Sequence, residues 1–395
     1  MKNVGTMSIG VRTGVIKEGD NLAEITVNSV LNACEELNLA LENKDIIAIT
    51  EAVVSISMGN YCTVDDIVKD LQSKVKTRHL GIVYPILSRN RFAVLLSAFA
   101  RAMDKITFVL SYPSDEVGND ILDKEKLNNS KIPLSNYVML ESEYTELFGD
   151  FKHIFTGVNM VDFYRDICKK ENCEVEFVFS NDPEVILDYT KDVLCADIHT
   201  RNTTKEKILA KEKVNVLTLA DILNKSVDGS GYNSKYGLLG SNRATEEKVK
   251  LFPENGSVFV NKVKDLFKEK ANKDVEVMIY GDGAFKDPVG KIWELADPVV
   301  SPAYTEGLEG SPNEIKLKYL SDNKFSNLKG EELNDAIKTE IRKKESELKG
   351  SMVSQGTTPR RYTDLIGSLC DLTSGSGDKG TPVILIKNYF KNYSN

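Results

Sequence analysis

Five short segments of this 395-residue chain combine residue types that can do chemistry. Asp197-Ile198-His199-Thr200-Arg201 directly follows the apolar run Val193–Ala196. Open α/β sheets bind ligands at the carboxyl ends of their strands. An acid for a metal ion and an arginine for a phosphate are therefore expected to project there together. The competing reading is a surface cluster of ion pairs, with His199 packed or solvated. Ser88-Arg89-Asn90-Arg91 sets two guanidinium groups at the start of an expected helix, and both arginine and a helix N-terminus favour anions. Thr358-Pro359-Arg360-Arg361 has the same character before the last expected helix. In Gly281–Lys291, Asp282 and Asp287 can hold Mg²⁺ while Lys286 and Lys291 face phosphate; the alternative is a tight Asp-Gly turn with solvated charges. Ser374–Thr381 is a Gly-rich loop whose backbone N–H groups can cradle an anion. It precedes a strand and lacks the spacing of a Walker A loop.

The elements that position these segments alternate. Apolar residues at helical spacing predict a helix over 20–41 with Asp20 as its N-cap, followed by a buried strand, Ile46–Thr50. Val53–Ile56 continues the apolar stretch. Helices are expected over 91–103, 161–169, 183–190 and 203–210, and strands over 106–111, 175–180, 193–196 and 214–219. Gly229–Ser241 reads as a loop, 244–251 and 258–270 as helices, and Val275–Tyr280 as a strand. Ser311-Pro312-Asn313-Glu314 reads as a helix start, Gly330–Lys349 as a charged amphipathic helix and 361–372 as the last helix, before the strand Val383–Ile386. The alternation predicts an α/β protein with mixed sheets.

Composition excludes several classes. The net charge is −8, from 51 basic and 59 acidic residues, which disfavours a nucleic-acid partner. The apolar runs are far shorter than a membrane span, and the N-terminus has no apolar signal region. Six scattered cysteines without zinc spacing are expected to be free and partly buried, and three histidines make a His-rich metal site improbable. These features place the expected location in the cytoplasm.

Gly10–Leu22 followed by Ile49–Gly59 resembles the opening of the gamma-glutamyl ligases that extend the deazaflavin coenzyme F-420. Those proteins carry an arginine-bearing turn, an L-I-K-x-G-D-D-L helix start and a T-Q-K-I-V-S-K-A-E-G strand and loop. Weaker matches follow in order at His79–Val83, Ser88–Asn90, Leu110–Asp115, Ala196–Arg201, Asp287–Lys291 and 363–386. About 116–190, 205–275 and 300–356 read as additions. The expected organisation is a ligase-like part over 1–115, an α/β middle over 116–300, a helical insertion over 301–356 and a return to the core over 357–395.

The resemblance implies an intertwined homodimeric fold that uses GTP, or ATP, with Mg²⁺ or Mn²⁺ to join an amino acid, L-glutamate, to a carboxylate acceptor. It carries Lys17, Thr50, Asn90 and Gly375 to nucleotide-contacting positions, and Ser55, Ser88, Arg89 and Ser376 beside them are further cofactor-binding candidates. Asp197 matches the family's metal-binding Asp and Arg201 the arginine that follows, which makes both catalytic candidates; Asp282 and Asp287 are further candidate metal ligands, and Arg89, Arg91, Lys286 and Asp282 are candidates to replace groups the motifs have lost. The chain departs from the motifs at Ala52 and Ile56, which stand where the family has lysines, and at Ser376, which stands where it has glutamine. The metal Asp of its I-D-x-S-N loop is missing. These losses leave open an inactive ligase-like protein that binds a nucleotide or phosphorylated metabolite. A third reading gives the helix Gly330–Lys349 a partner-binding role.

Overall fold

The structure, a computed structural model, describes residues 3–89, 91–154, 156–281, 300–344, 347–348, 350–354, 357, 360–375 and 377–394. Two sheets organise it. In the first, the strands run in the order Met7–Val11, Val383–Lys387, Ile46–Thr50, Glu276–Tyr280 and Ala303–Tyr304. Ile46–Thr50 and Glu276–Tyr280 pair in parallel; the other pairs are antiparallel. Side chains alternate between the two faces, as the strand period requires. Ile47, Ile49, Val277, Ile279, Val383 and Leu385 face one core, shared with helices Leu22–Glu36 and Gly256–Ala271. Ile46, Ala48, Met278, Tyr280, Ile384 and Ile386 face a second, closed by helix Tyr362–Thr373. Coverage on both faces is why these strands read as unbroken apolar runs.

The second sheet contains Glu174–Phe179, Lys105–Leu110, His79–Val83, Asp192–Cys195 and Asn215–Thr218, adjacent in that order and all parallel. Met139–Leu140 adds an antiparallel edge. The chain winds outward through its first three parallel strands, then returns to the other side of His79–Val83. This doubly wound order puts a topological switch between His79–Val83 and Asp192–Cys195. Helices Val64–Lys74, Phe92–Ala102 and Met160–Lys170 cover one face, and Pro183–Asp188 and Arg201–Lys211 the other. Gly81 lies where the second layer comes closest: a Cβ there would stand 2.5 Å from Ile186 Cγ1.

The buried apolar residues of this sheet's two faces all lie between Cys62 and Phe252, and those of the first sheet all lie outside that interval. The chain thus builds one core from its two ends and a second from its middle. The expected boundary at residue 115 falls among the second sheet's strands. A small sheet, in the order Asn242–Arg243, Lys248–Lys250 and Tyr61–Thr63, sits where the chain crosses between the two cores.

Several local expectations are corrected. Residues 244–251 are not helical: Lys248-Val249-Lys250 is a strand, with Val249 buried and paired to Cys62. Asp20 does not cap the first helix; its carboxylate accepts the Lys17 N–H at 2.7 Å, and Asn21 holds the cap position. The stretch after Ile46–Thr50 is helical over Glu51–Met58 and ends at Gly59, whose φ of 64° is a left-handed cap. No helix begins at Ser311–Glu314; the next begins at Leu317. All six cysteines are free and buried, and burial pushes Cys168 and Cys173 up to about 12. Among the described residues no helix is long and apolar enough to cross a membrane.

Candidate active site

A cavity of about 580 Å³ opens between the two cores, within the usual range for small-molecule sites, roughly 300–1,000 Å³. One wall is the carboxyl end of the first sheet: Thr50 ends one strand, and Tyr280 and Gly281 end its parallel neighbour. The turn Thr13–Ile16 and the Gly-rich loop at Gly375 close that side. The other wall comes from the middle of the chain, through Arg91 at the start of helix Phe92–Ala102 and Lys250 of the small sheet.

The local sequence explains this placement. Glu51–Met58 begins directly after a strand, so Glu51 sits in its first turn and lines the cavity, as do Ala52 and Ile56. Strand Lys248–Lys250 is held against the end of that helix: the Leu251 N–H donates to the Asn60 carbonyl at 3.1 Å, and Ser55 Oγ donates to the Leu251 carbonyl at 2.7 Å. The clamp delivers Lys250 Nζ to Glu51 Oε1 at 2.9 Å, a pair about nine-tenths buried on both sides. Ser55 is therefore inside the clamp rather than on the cavity wall. The Tyr280 hydroxyl is buried near Ser374 and Thr50, and burial raises its pKa.

The expected site residues fall into three groups. Thr50 and Gly375 line the cavity, and so does Arg91, one of the two arginines expected to favour an anion at a helix start. Lys17 and Arg89 are exposed outside the wall, and the Ser88 hydroxyl accepts the Arg91 N–H at 3.2 Å. Asn90, Asp282, Lys286, Asp287 and Ser376 lie outside the described residues.

Asp197 and Arg201 form a separate cluster at the switch point, as the strand-end argument requires. Asp197 is fully buried; its Oδ2 accepts the Thr200 and Thr204 hydroxyls at 2.6 and 2.7 Å, while Oδ1 has no hydrogen-bond partner among the described residues. Burial raises its pKa against those two bonds, and the nearby Glu116 carboxylate raises it further. Arg201 does not extend beside Asp197 toward a ligand: its guanidinium turns back to the Ile198 carbonyl. Glu116, not anticipated from the sequence, fills the anion position of this loop. Its carboxylate accepts the N–H groups of Ile198, His199 and Thr200 and the Thr200 hydroxyl. The neighbouring Ser88–Arg91 loop is pinned by Asp115, which accepts the Leu87 N–H at 2.8 Å, and by Tyr164, whose hydroxyl bonds both Ile86 and Ser88. Arg91 and Ile198 share a small apolar void, so the switch-point loops and the cavity meet at Arg91.

For a divalent cation, the orphaned Asp197 Oδ1 offers one protein ligand. That suits Mg²⁺, which typically takes one or two carboxylates and completes its shell with water and phosphate oxygens. Among the described residues no three acidic, His or Cys groups come together as a closed metal cage.

The fold and cavity define an α/β protein with a cavity of small-molecule size between two cores. The chain belongs to the F420-0:Gamma-glutamyl ligase family, whose model matches residues 10–388. No curated protein matches it. Its substrates are accordingly small molecules of the ligase class.

Proposed function

We propose that the protein is a nucleotide-using amide ligase that joins L-glutamate to a carboxylate acceptor through an acyl phosphate. The observation that carries this reading is the cavity itself. It unites the family-matched Thr50 and Gly375 with two cations, Arg91 and Lys250, and the carboxylates of Glu51 and Asp371. A carboxylate is a poor electrophile. In the first step an acceptor oxygen attacks the terminal phosphorus of the nucleotide, and the bond to the nucleoside diphosphate breaks. In the second the glutamate nitrogen attacks the acyl carbon, the carbon–oxygen bond to phosphate breaks, and the amine proton passes to solvent. Catalysis of such transfers rests on positioning and charge neutralisation. The Gly375 loop and Thr50 cradle phosphate oxygens in this scheme, and Arg91 balances their charge. Asp197 is the residue proposed to hold Mg²⁺ or Mn²⁺, which would supply further neutralisation when bound. A homodimer belongs to the same reading.

The test is calorimetric titration with GTP and ATP, each with and without Mn²⁺, followed by phosphate-release assays with L-glutamate and candidate acids. Metal-dependent nucleotide binding with acceptor-dependent phosphate release is expected. Absence of nucleotide binding overturns the proposal. A second reading, a binding protein without turnover, is favoured by Ala52 and Ile56, which line the cavity where the motif has lysines; it predicts binding with no phosphate released.

A further inference from the structure

We infer that Lys250 is an anion-binding residue of the central cavity, its ammonium taking a phosphate or carboxylate oxygen of the substrate while Glu51 holds it in place. The inference deepens the ligase reading and rests on it only for which substrate carries the anion.

An ammonium has three N–H donors, and buried donors are normally satisfied. Lys250 is 8% exposed, and its single hydrogen bond among the described residues goes to Glu51 Oε1. Two donors are left unspent on a side chain that lines the cavity. Two other lysines of this chain serve as internal controls. Lys387 is 4% exposed and donates to both the Ala40 carbonyl and Asp45 Oδ2, each at 2.6 Å. Lys74 spends its ammonium on Asp70, the Asp221 carbonyl and Asn224. Neither lines the cavity. Of these three lysines, the one at the cavity wall has the fewest partners, one against two for Lys387 and three for Lys74.

The placement is also specific. Lys248 and Lys250 lie two apart on one strand and so share a face. Lys248 stacks over the Tyr61 ring at 4.1 Å, whereas Lys250 reaches inward. The residues following Glu51 on the same wall, Ala52 and Ile56, carry no charge, so an anion seated there meets Lys250 without a nearer competing cation on that helix. Removing Lys250 alone would take its ammonium from the buried Glu51 carboxylate, a structural penalty unrelated to ligand. The informative variant is therefore Glu51→Gln with Lys250→Gln, which replaces the ion pair by a neutral pair able to hydrogen-bond.

The experiment titrates the full-length protein and this double variant with inorganic triphosphate, GTP with Mg²⁺, and L-glutamate, with thermal melts to verify folding. At least a tenfold loss of affinity in the folded double variant is expected. Loss for triphosphate and GTP assigns the anion to phosphate; loss for L-glutamate assigns it to carboxylate. Unchanged affinities, or a wild-type protein that binds none of the three, overturn the inference. A second measurement needs no variant: acylation of Lys250 by an amine-reactive reagent, followed by mass spectrometry, should slow at least tenfold with the bound anion while that of Lys387 does not. Equal responses of the two lysines overturn it as well. Triphosphate binding lost in the double variant, from a protein that releases no phosphate with any acceptor, would sink the ligase reading and leave Lys250 standing. Turnover with unaltered anion binding in the double variant would do the reverse.

Discussion

At Asp197 burial and hydrogen bonding oppose each other, and burial prevails: the carboxyl titrates above its ordinary value of 3.8. The folded protein thus holds a proton that the unfolded chain has released, so this group's stability contribution is lost as pH rises from the unfolded value through the folded one. Asp197→Asn, which cannot ionise, should gain melting temperature relative to the parent, by ~2–4 °C on going from about pH 4 to about pH 8. Melts across that range check it; a difference that stays constant with pH refutes it. Mn²⁺ should raise the melting temperature of the parent, whose Oδ1 has no partner among the described residues, and leave the Asn variant unmoved. Glu116 makes a complementary case. It fills a nest of three backbone N–H groups ahead of helix Arg201–Lys211, so Glu116→Ala should empty an anion site. Inorganic phosphate is expected to stabilise that variant more than the parent. Equal responses would mean that the nest collapses when its carboxylate is removed.

Among the secondary-structure elements, Asp192 ties the end of helix Val64–Lys74 to two neighbouring strands. Its carboxylate accepts the Lys76 and Thr77 N–H groups, the Thr77 hydroxyl and the Asn215 amide. Burial raises its pKa, but these bonds outweigh burial and the net shift is downward. The sign is opposite to that of Asp197: the contribution is present above the unfolded value and lost as pH falls through the folded one. Asp192→Ala orphans several donors and should cost about 3 kcal/mol at neutral pH, since each buried unsatisfied group costs roughly 1–3 kcal/mol. Urea titration is expected to show that loss shrinking as pH falls below about 4, where the unfolded chain takes up the proton before the folded Asp192 does. The strands Asp192–Cys195 and Asn215–Thr218 were legible as short apolar runs, as was the place of the Asp197 loop at a strand end, whereas their neighbour His79–Val83 was not read as a strand. The strand Lys248–Lys250 was misread as helix because its partner, Tyr61–Thr63, is remote in sequence and nothing local announces it. The same remoteness hid the Glu51–Lys250 pair and the role of Glu116. Thr50 and Gly375 could be placed only because their motifs are continuous in the chain.

Over the whole molecule, the division into two cores determines what the cavity is. Strand Val383–Lys387 lies between Met7–Val11 and Ile46–Thr50, so the two ends of the chain close one sheet around the interval that builds the other. The buried Lys387–Asp45 pair fastens that closure at 2.6 Å. Because the second sheet and the clusters on its two faces lie within 62–252, a fragment spanning 61–252 holds its own core and should fold alone. Circular dichroism should show a cooperative thermal transition for it, and a broad, non-cooperative loss of signal would refute its independence. The fragment keeps Arg91 and Lys250 but loses Thr50, Glu51, Tyr280 and Gly375, so it should bind neither GTP nor triphosphate detectably. In the intact chain the cavity belongs to neither core alone. A ligand seated there binds only when both are folded and apposed, so it should raise the melting transition of each, by an amount set by its concentration relative to Kd. If GTP shifts one transition and leaves the other in place, the bound ligand contacts one core only, and the two-sided cavity is not its site.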